Sequence, residues 1–407
     1  MHFIASRFYR GNSNTKRGAT RPAIRVATCG IAIGLVVMLL SISVLMGFKQ
    51  ELTKKVTGFA AHLEVLNSGT LQLPDAYPIC LPPYLEEKIN NIEQITHLQK
   101  VTQKMGVLKT GVHFTPILLK GIDENYDTTY IHTSLSEGRL PTLCKDSATN
   151  EIVISRHIAD ALQLQVGGRV YAYFFEDNIK MRRMSIVGIY ETHLKQFDET
   201  MVIADRYTVC KLNGWSNAQY SELELKTTHL DALPTLKSAV ESVTAGFDNL
   251  TTITVEDHYP HVFSWLNILN TNVWVILALM VGVAVFTVSS GLLVIMLERT
   301  PAIGMLKAMG ATDRQMRTIF IRLAMLITLK GIAWGNGVAL ALLLLQRYFH
   351  LLRLNPAHYY VTEVHVFISP LVILLINAVT MLLIFLSLYI PTLILSKITP
   401  TKAIKFD

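Results

Sequence analysis

Few residue patterns in this sequence could carry out chemistry themselves. The densest group of possible metal ligands comprises Glu256, Asp257, His258 and His261. Its histidines are three positions apart with a proline between them, which is not the spacing of a helical ligand pair, so we predict no metal there. The glycine pair at 167–168 lacks the lysine that follows such a pair in a nucleotide-binding loop, and it predicts a turn.

Other catalytic signals are missing from the sequence as well. We find no metalloprotease motif, no serine-hydrolase elbow and no C-x-x-C pair. The four cysteines match no metal-binding spacing; one disulfide is possible in the segment 49–261, and unpaired thiols are favoured. We therefore predict that the chain binds no cofactor and is not an enzyme, so its function must rest on its larger elements.

Composition indicates a membrane protein. Of 407 residues, 51 % are hydrophobic and 16 % are charged, which is too apolar for an ordinary soluble enzyme. The apolar residues are concentrated in four runs, each longer than the roughly 20 residues that cross a hydrocarbon core. We predict an α-helical membrane protein with four transmembrane helices, at 23–48, 262–297, 323–346 and 366–396. The first run is too long for a signal peptide and has no cleavage site, so we expect it to stay as an anchor.

The positive charges predict the orientation of these helices. Residues 1–25 carry six lysines and arginines and no acid, and basic residues also predominate at 298–322 and 397–407. These segments are therefore expected to face the cytoplasm, with 347–365 and 49–261 on the other side. The segment 49–261 has a net charge of −6, and the rest of the chain has a net charge of +13. The basic balance thus indicates contact with anionic lipids and not with nucleic acid.

The segment 49–261 has a mixed pattern that predicts an exported α+β domain, inserted between the first and second spans, with 150–206 as a possible inserted lobe. It is long enough to bury a core of its own. Strands are predicted from alternation and helices from a 3.6-residue period. The predicted strands lie at 62–66, 152–154, 169–175, 184–190, 201–204, 222–225 and 251–255. The predicted helices lie at 84–98, 156–162 and 230–243. The remaining parts are an interfacial helix and link at 1–22, a cytoplasmic loop at 298–322, an outer loop at 347–365 and a tail at 397–407.

The cytoplasmic loop at 298–322 predicts a short, well-bounded helix. Thr300 with Pro301 is interpreted as its N-cap and first turn, and Gly310 as the left-handed residue that ends it. Thr312 and Gln315 predict a capping box for the next helix. Ile303, Leu306 and Ala308 are expected to form its apolar face. A helix of about nine residues, held at both ends between two spans, is suited to receive force from a partner.

Small residues predict where helices approach closely. Gly30 and Gly34 form a G-x-x-x-G pair in the first span, and Gly331 and Gly335 form another in the third. These pairs serve either packing within one chain or, for the first, a seam with a second subunit.

Four parts of the sequence carry a resemblance to a known family. They are the segment 3–10, the first-span exit at 39–52 with Met46-Gly-Phe-Lys-Gln-Glu-Leu, the segment 197–205 (Phe-Asp-Glu-Thr-Met-Val-Ile-Ala-Asp), and the charged block 297–320. Together they resemble the FtsX/MacB superfamily of ABC-transporter membrane subunits, and within it the lipoprotein-releasing permeases of the LolC and LolE type.

The resemblance implies a bacterial inner-membrane protein with both termini in the cytoplasm and the large domain in the periplasm. A cytoplasmic ATPase dimer, which binds the ATP and Mg, would push on the helix at 300–310. The residues implied in this contact are Glu298, Arg299, Pro301, Ile303, Gly304, Lys307, Ala308 and Gly310. A second permease subunit, identical or homologous, and a lipoprotein substrate are also implied. The lipid cleft would be lined by Leu39, Val44, Leu45, Phe48, Phe263, Leu266 and Ile268.

Two departures from the family pattern matter. Ala302 stands where an acidic residue is usual in E-R-x-x-E-I-G, so the ATPase contact is expected either to be weaker or to be supplied by Lys307. Only a few residues connect the strands that end near Phe175 and start near Arg183, where a carrier-docking hook would lie. A LolE-like or undifferentiated role therefore fits better than docking of a periplasmic carrier by this chain. Two alternatives stay open, namely a MacB-like efflux subunit and an FtsX-like scaffold that controls a periplasmic hydrolase.

Overall fold

The computed structural model describes residues 20–71, 77–111, 113–175, 179–227, 232–355 and 359–388. The predicted interfacial helix at 3–10 and the tail at 397–407 lie outside these ranges. The chain divides into two compact units. The first, the helical unit, comprises Met1–Lys49, Trp265–Arg353 and Glu363–Asp407, and the second, the sheet unit, comprises Gln50–Ser264 and Leu354–Thr362.

Helices and strands are numbered here in chain order within the described residues. The helices are α1 Thr20–Phe59, α2 Pro83–Asn90, α3 Thr129–Ser134, α4 Arg156–Leu162, α5 Lys195–Asp198, α6 Arg206–Asn213, α7 Leu233–Thr244, α8 Val255–His258, α9 Pro260–Glu298, α10 Thr300–Ala308, α11 Asp313–Phe349 and α12 Pro370–Ser387. The strands are β1 Leu63–Asn67, β2 Ile95–Lys109, β3 Phe114–Ile122, β4 Leu135–Gly138, β5 Glu151–Ser155, β6 Arg169–Phe174, β7 Lys180–Tyr190, β8 Met201–Asp205, β9 Glu222–Thr227 and β10 Leu250–Thr254.

Four of these helices, α1, α9, α11 and α12, are long and apolar enough to cross a membrane, as predicted. Within the helical unit α1 is the most enclosed of the four, because its apolar residues recur at helical spacing and face the bundle. That stripe comprises Ile24, Ala27, Ile31, Leu35 and Met38. It packs in one core with residues of α9, α10, α11 and α12.

The sheet unit is built on one mixed sheet with strand order β10-β1-β9-β2-β3-β8-β5-β7-β4, in which β6 also pairs with β2 and β7. The long strand β2 connects its two halves. Its first half pairs with β9, and its second half pairs with β3 and β6. The strands of 150–206 are therefore continuous with the rest of the sheet through β2 and β3.

Most local elements of the sheet unit follow the sequence pattern. The strands β1, β5 to β10 and the helices α4 and α7 lie within a few residues of their predicted positions. The predicted helix at 84–98 was wrong in length, because α2 ends at Asn90 and β2 begins at Ile95. Asparagine is a poor helix former and Asn91 is the C-cap, so the helix stops before Leu98, which pairs with Leu225 of β9.

Candidate functional site

The charged block between α9 and α11 folds as a short helix with defined ends. The helix α10 has nine residues, as predicted. Its carboxyl end is a Schellman motif, in which Gly310 has a φ of +95° and its N–H donates to the Lys307 carbonyl at 3.0 Å. The N–H of Ala311 donates to the Leu306 carbonyl at 3.0 Å.

The beginning of α11 is also fixed by its own side chains. The Thr312 hydroxyl accepts from the Gln315 N–H at 3.4 Å, and the Gln315 side chain accepts from the Thr312 N–H at 3.0 Å. This capping box confirms the prediction. The turn from α10 into α11 is therefore specified by Gly310, Thr312 and Gln315.

The predicted N-cap of α10 is wrong. Arg299 occupies that position, and its carbonyl accepts the first helical hydrogen bond from Ile303. The Thr300 hydroxyl instead donates back to the last turn of α9, to the carbonyl of Leu297 at 2.8 Å. Because a single residue separates the two helices, Thr300 already lies inside α10 and caps the end of α9. Pro301 remains in the first turn, where its missing N–H is not needed.

The two faces of α10 differ from the prediction in one respect. Ile303 and Gly304 are buried in the helical unit and Leu306 packs partly against its core. Ala308 is exposed, since five positions from Ile303 place it on another side of the helix. Within residues 300–310, the exposed side of the segment comprises Pro301, Met305, Ala308, Met309 and Gly310.

Lys307 is directed towards its own chain. Its ammonium group lies 2.8 Å from a carboxylate oxygen of Asp313, and its side chain is only 10 % exposed. The pair braces α10 against the first turn of α11. Glu298 and Arg299 are half-buried and are also engaged within the chain. The sequence did not point to Met305 and Met309, whose flexible thioether side chains form the apolar part of the exposed surface.

The second candidate region is the exit of α1, where Gly47 meets the segment that leads into α12. A Cβ atom on Gly47 would lie 2.4 Å from the carbonyl oxygen of His365 and 2.9 Å from the amide nitrogen of Phe367. The Phe367 N–H donates to the Ser43 carbonyl at 3.0 Å. Only glycine allows this backbone approach, which the sequence alone did not reveal.

Gln346, near the end of α11, holds the same connecting segment. Its side-chain amide donates to the Val364 carbonyl at 3.1 Å and its side-chain oxygen accepts from the Leu352 N–H at 3.0 Å. Nδ1 of His350 lies 2.6 Å from a carboxylate oxygen of Glu363 in the same loop. The outer loop is therefore an ordered element of the helical unit at these positions.

The predicted cleft residues differ in their exposure. Leu39, Phe48, Phe263 and Leu266 are buried, Val44 and Leu45 are half-buried, and Ile268 is exposed. The ring of Phe48 packs edge-on against Trp265 with centroids 5.4 Å apart. The structure thus brings Phe48 together with α9 but places Ile268 on the outer surface of that helix.

The small residues of the spans are explained by packing within one chain. A Cβ on Gly30 would lie 2.7 Å from the Thr287 methyl group of α9, and a Cβ on Gly331 would lie 2.7 Å from Cβ of Ile31. Gly335 faces Leu35 in the same way, while Gly34 leaves ordinary contact distances. The seam with a second subunit stays a prediction.

The remaining candidate ligands of the sequence do not form a metal site in the described parts of the chain. No group of three or more His, Cys, Asp or Glu side chains there could hold a metal ion. All four cysteines, which lie within the described ranges, are free thiols. His258, one of the four possible ligands considered at 256–261, contacts Glu64.

Two known protein families match this chain. Residues 26–243 match the MacB-like periplasmic core domain, and residues 274–400 match the FtsX-like permease C-terminal family. The chain belongs to the FtsX/MacB family. It is accordingly a membrane permease subunit of an ABC-type transporter, a class of subunit that is generally non-catalytic.

Members of this family with assigned roles align along most of the chain. The lipoprotein-releasing system transmembrane protein LolC of Xylella fastidiosa (strain Temecula1) is 20 % identical, with 93 % of this chain and 92 % of that protein covered. The corresponding LolE protein of Haemophilus influenzae is 21 % identical, with 84 % and 82 % covered.

Two solved structures show a local likeness. They are the extracellular domain of the noncanonic ABC-type transporter YknZ from Gram-positive bacteria and the periplasmic region of MacB from Actinobacillus actinomycetemcomitans. The first is 13 % identical with a TM-score of 0.32, covering 47 % of this chain and 99 % of that structure. The second is 15 % identical with a TM-score of 0.34, covering 49 % and 91 %.

Proposed function

We propose that this chain is the permease subunit of a lipoprotein-releasing ABC transporter in the bacterial inner membrane. The observation that carries the proposal is the alignment with LolC and LolE proteins along most of the chain. In this proposal α1, α9, α11 and α12 span the membrane, both termini lie in the cytoplasm, and the sheet unit lies in the periplasm between the first and second spans.

A cytoplasmic ATPase dimer drives the cycle and binds the ATP and Mg. It contacts the exposed surface of α10 through Pro301, Met305 and Met309, which are apolar side chains that a partner would remove from water. Lys307 acts within the chain, because its pair with Asp313 makes α10 and the start of α11 move together. The half-buried Ala302 takes the position where the family usually has an acid.

The cargo site is the apolar exit of α1. Val44, Leu45 and Phe48 lie within about one turn of the helix near the predicted outer surface of the membrane, where acyl chains of a lipoprotein are available. Leu39, Phe263, Leu266 and Ile268 belong to the same proposed cleft. A second permease subunit supplies the other wall, and a periplasmic carrier receives the lipoprotein after release.

Depletion of the protein, followed by fractionation of membranes, tests this function. We expect newly made, acyl-labelled lipoproteins that normally reach the outer membrane to accumulate in the inner membrane. Normal sorting of lipoproteins in depleted cells would refute the proposal. Depletion phenotypes confined to drug efflux or to cell-wall hydrolysis would instead support the MacB-like or the FtsX-like role.

A Val44→Ser/Leu45→Ser variant tests the cleft in the complex with its ATPase. We expect unchanged basal ATP hydrolysis and at least a fivefold loss of release. The matched control is Leu279→Ser/Val283→Ser, two exposed positions of α9 that are not part of the proposed cleft. Equal losses in both double variants would remove the cleft from its proposed role.

A further inference from the structure

One face of the central sheet is charged and nevertheless buried. Strand β9 places Glu222, Glu224 and Lys226 on one side at alternating positions, and each of them is at most 7 % exposed. A strand whose polar side faced water would expose them, so another layer must cover this face. Burial of charged side chains is costly unless they are paired.

Acidic residues of neighbouring strands meet on this face, and a lysine compensates part of their charge. Glu64 of β1 lies opposite Glu224 in the register of the sheet. Lys120 of β3 extends its ammonium group to 2.5 Å from a carboxylate oxygen of Glu224, and both side chains are almost fully buried. On β9, Glu222 accepts a hydrogen bond of 2.7 Å from the Gln103 side chain.

These residues, Glu64, Lys120, Glu222 and Glu224, form a buried cluster that also contacts two helix ends of the sheet unit. The Lys120 ammonium group donates to the carbonyl oxygen of Phe59 at 2.7 Å, and Phe59 is the last residue of α1. A cation is favourable there because the carbonyl groups at a helix end carry partial negative charge. A carboxylate oxygen of Glu64 lies 2.5 Å from Nδ1 of His258, the last residue of α8, and only Tyr259 separates His258 from α9.

The rings of Phe59 and Tyr259, at or beside these helix ends, pack against other aromatic rings of the sheet unit. The Phe59 ring lies 5.0 Å from that of Tyr190 and 5.7 Å from that of Phe197, measured between centroids. Phe197 in turn packs against Tyr259 at 5.3 Å. The Lys120–Glu224 pair is almost fully buried, and exclusion of water strengthens its electrostatic interaction.

The pKa shifts of these groups reflect their burial and their contacts with one another. Burial alone would lower the pKa of His258, but Glu64 raises it to about 9. Burial also opposes the charge on Lys120, yet Glu224, followed by Tyr126 and Glu222, holds the pKa of this lysine well above its usual range. Burial and the neighbouring Glu64 and Glu224 raise the pKa of Glu222 well above that of a free carboxyl.

We propose that Lys120, Glu224, Glu64 and His258 are positioning residues that fasten the ends of α1 and α9 to the sheet and transmit ATP-driven helix movement to it. Removing one partner of such a pair leaves a charge buried without compensation, so the helix end and the sheet resist separation. An apolar contact between a helix end and the sheet could slide at a much lower cost in free energy. The inference rests on the ATP-driven cycle of the proposed function and not on the identity of the cargo.

The double variant Lys120→Met/Glu224→Gln tests the inference in the full permease–ATPase complex. It removes the lysine charge and the partner carboxylate together, so the pair leaves no charge uncompensated. We expect ATP hydrolysis within twofold of wild type, a similar unfolding temperature, and at least a tenfold loss of lipoprotein released per ATP. Lys120→Arg keeps a cation at this position and should restore at least half of the release.

The matched control is Lys226→Met/Asp127→Asn. This variant removes the 3.0 Å pair that joins the same strand to Asp127, which lies beside the beginning of α3 and not at an end of α1 or α9. We expect release per ATP within twofold of wild type. Unchanged release in the Lys120/Glu224 variant, or an equal loss in the control, would overturn the inference.

A measurement that does not depend on the cargo completes the test. In the wild-type complex, amide hydrogen exchange at 57–66 should change between the nucleotide-free state and the vanadate-trapped state. We expect the Lys120/Glu224 variant to lose this change. If that variant does not fold, His258→Gln takes its place, because His258 lies at the more exposed edge of the cluster. If the variant shows the same nucleotide-dependent change in exchange as the wild type, the inference is refuted. If the wild-type complex hydrolyses ATP but releases no lipoprotein, only the proposed cargo is refuted.

Discussion

The carbonyl oxygen of His365 lies 2.4 Å from the position that a Cβ atom on Gly47 would occupy. The two residues belong to segments that are far apart in the sequence, one in the first span and the other just before the fourth. Their contact fixes the connection into α12 against the exit of α1. Since the opposing atoms are backbone, a side chain at position 47 cannot be accommodated by a change of rotamer.

We therefore expect Gly47→Ala to destabilise the helical unit by about 1–3 kcal/mol, the usual range for an overpacked site. The measurement is the unfolding temperature of the purified protein in detergent. Gly282→Ala in α9 is the control, because no atom lies within 4 Å of the position that the added methyl group would take and alanine favours a helix. Equal unfolding temperatures for Gly47→Ala and wild type would show that the connection can move aside.

The sequence predicts the features that depend on neighbouring residues and misses those that depend on contacts between distant segments. The boundaries of α10 follow from Pro301, Gly310 and the Thr312–Gln315 pair, which act on neighbouring backbone. Polar and apolar residues alternate from Glu222 onwards, and this pattern correctly predicts strand β9. The burial of Glu222 involves residues from other strands, such as Gln103 of β2, and no local sequence pattern records that. The Gly47 contact was missed for the same reason.

The exposed methionines of α10 give a prediction about the ATPase contact. Met305 and Met309 are 63 % and 78 % exposed, so replacing both with serine removes apolar surface without opening a cavity in the helical unit. We expect an unchanged unfolding temperature and at least a fivefold weaker binding of the ATPase, measured by co-purification and by titration in detergent. Met105→Ser in β2, also an exposed methionine, should leave the ATPase contact unchanged.

The left-handed residue at the end of α10 gives a prediction about its geometry. Gly310→Ala is expected to destabilise the turn by about 1 kcal/mol or more, because alanine disfavours a positive φ although no atom lies within 4 Å of the added methyl group. Gly310→Asn should be milder, since asparagine tolerates this conformation better. Amide exchange at 306–313 measures the effect, and identical exchange in the alanine variant would mean that the turn is not held by this residue.

The contact between His258 and Glu64 predicts a pH dependence of stability with a definite sign. The pKa of His258 rises from 6.5 to about 9 in the folded protein, where Glu64 outweighs the opposing effect of burial. The folded state therefore holds this proton more tightly than the unfolded state. The resulting stabilisation is fully present below about pH 6.5 and is lost as the pH rises through about 9. The other titratable groups of the cluster are Glu222, Glu224 and Lys120, and burial raises the pKa of both Glu222 and Glu224, which acts in the same direction.

Unfolding temperatures between pH 6.5 and pH 9 measure this dependence. We expect a decrease over that interval in wild type and a flatter profile in His258→Gln, which removes the titrating group while keeping a hydrogen-bonding side chain. His113→Gln provides the control, because His113 precedes β3 and contributes no charge to this cluster. A wild-type slope in His258→Gln would mean that another group is responsible for the dependence.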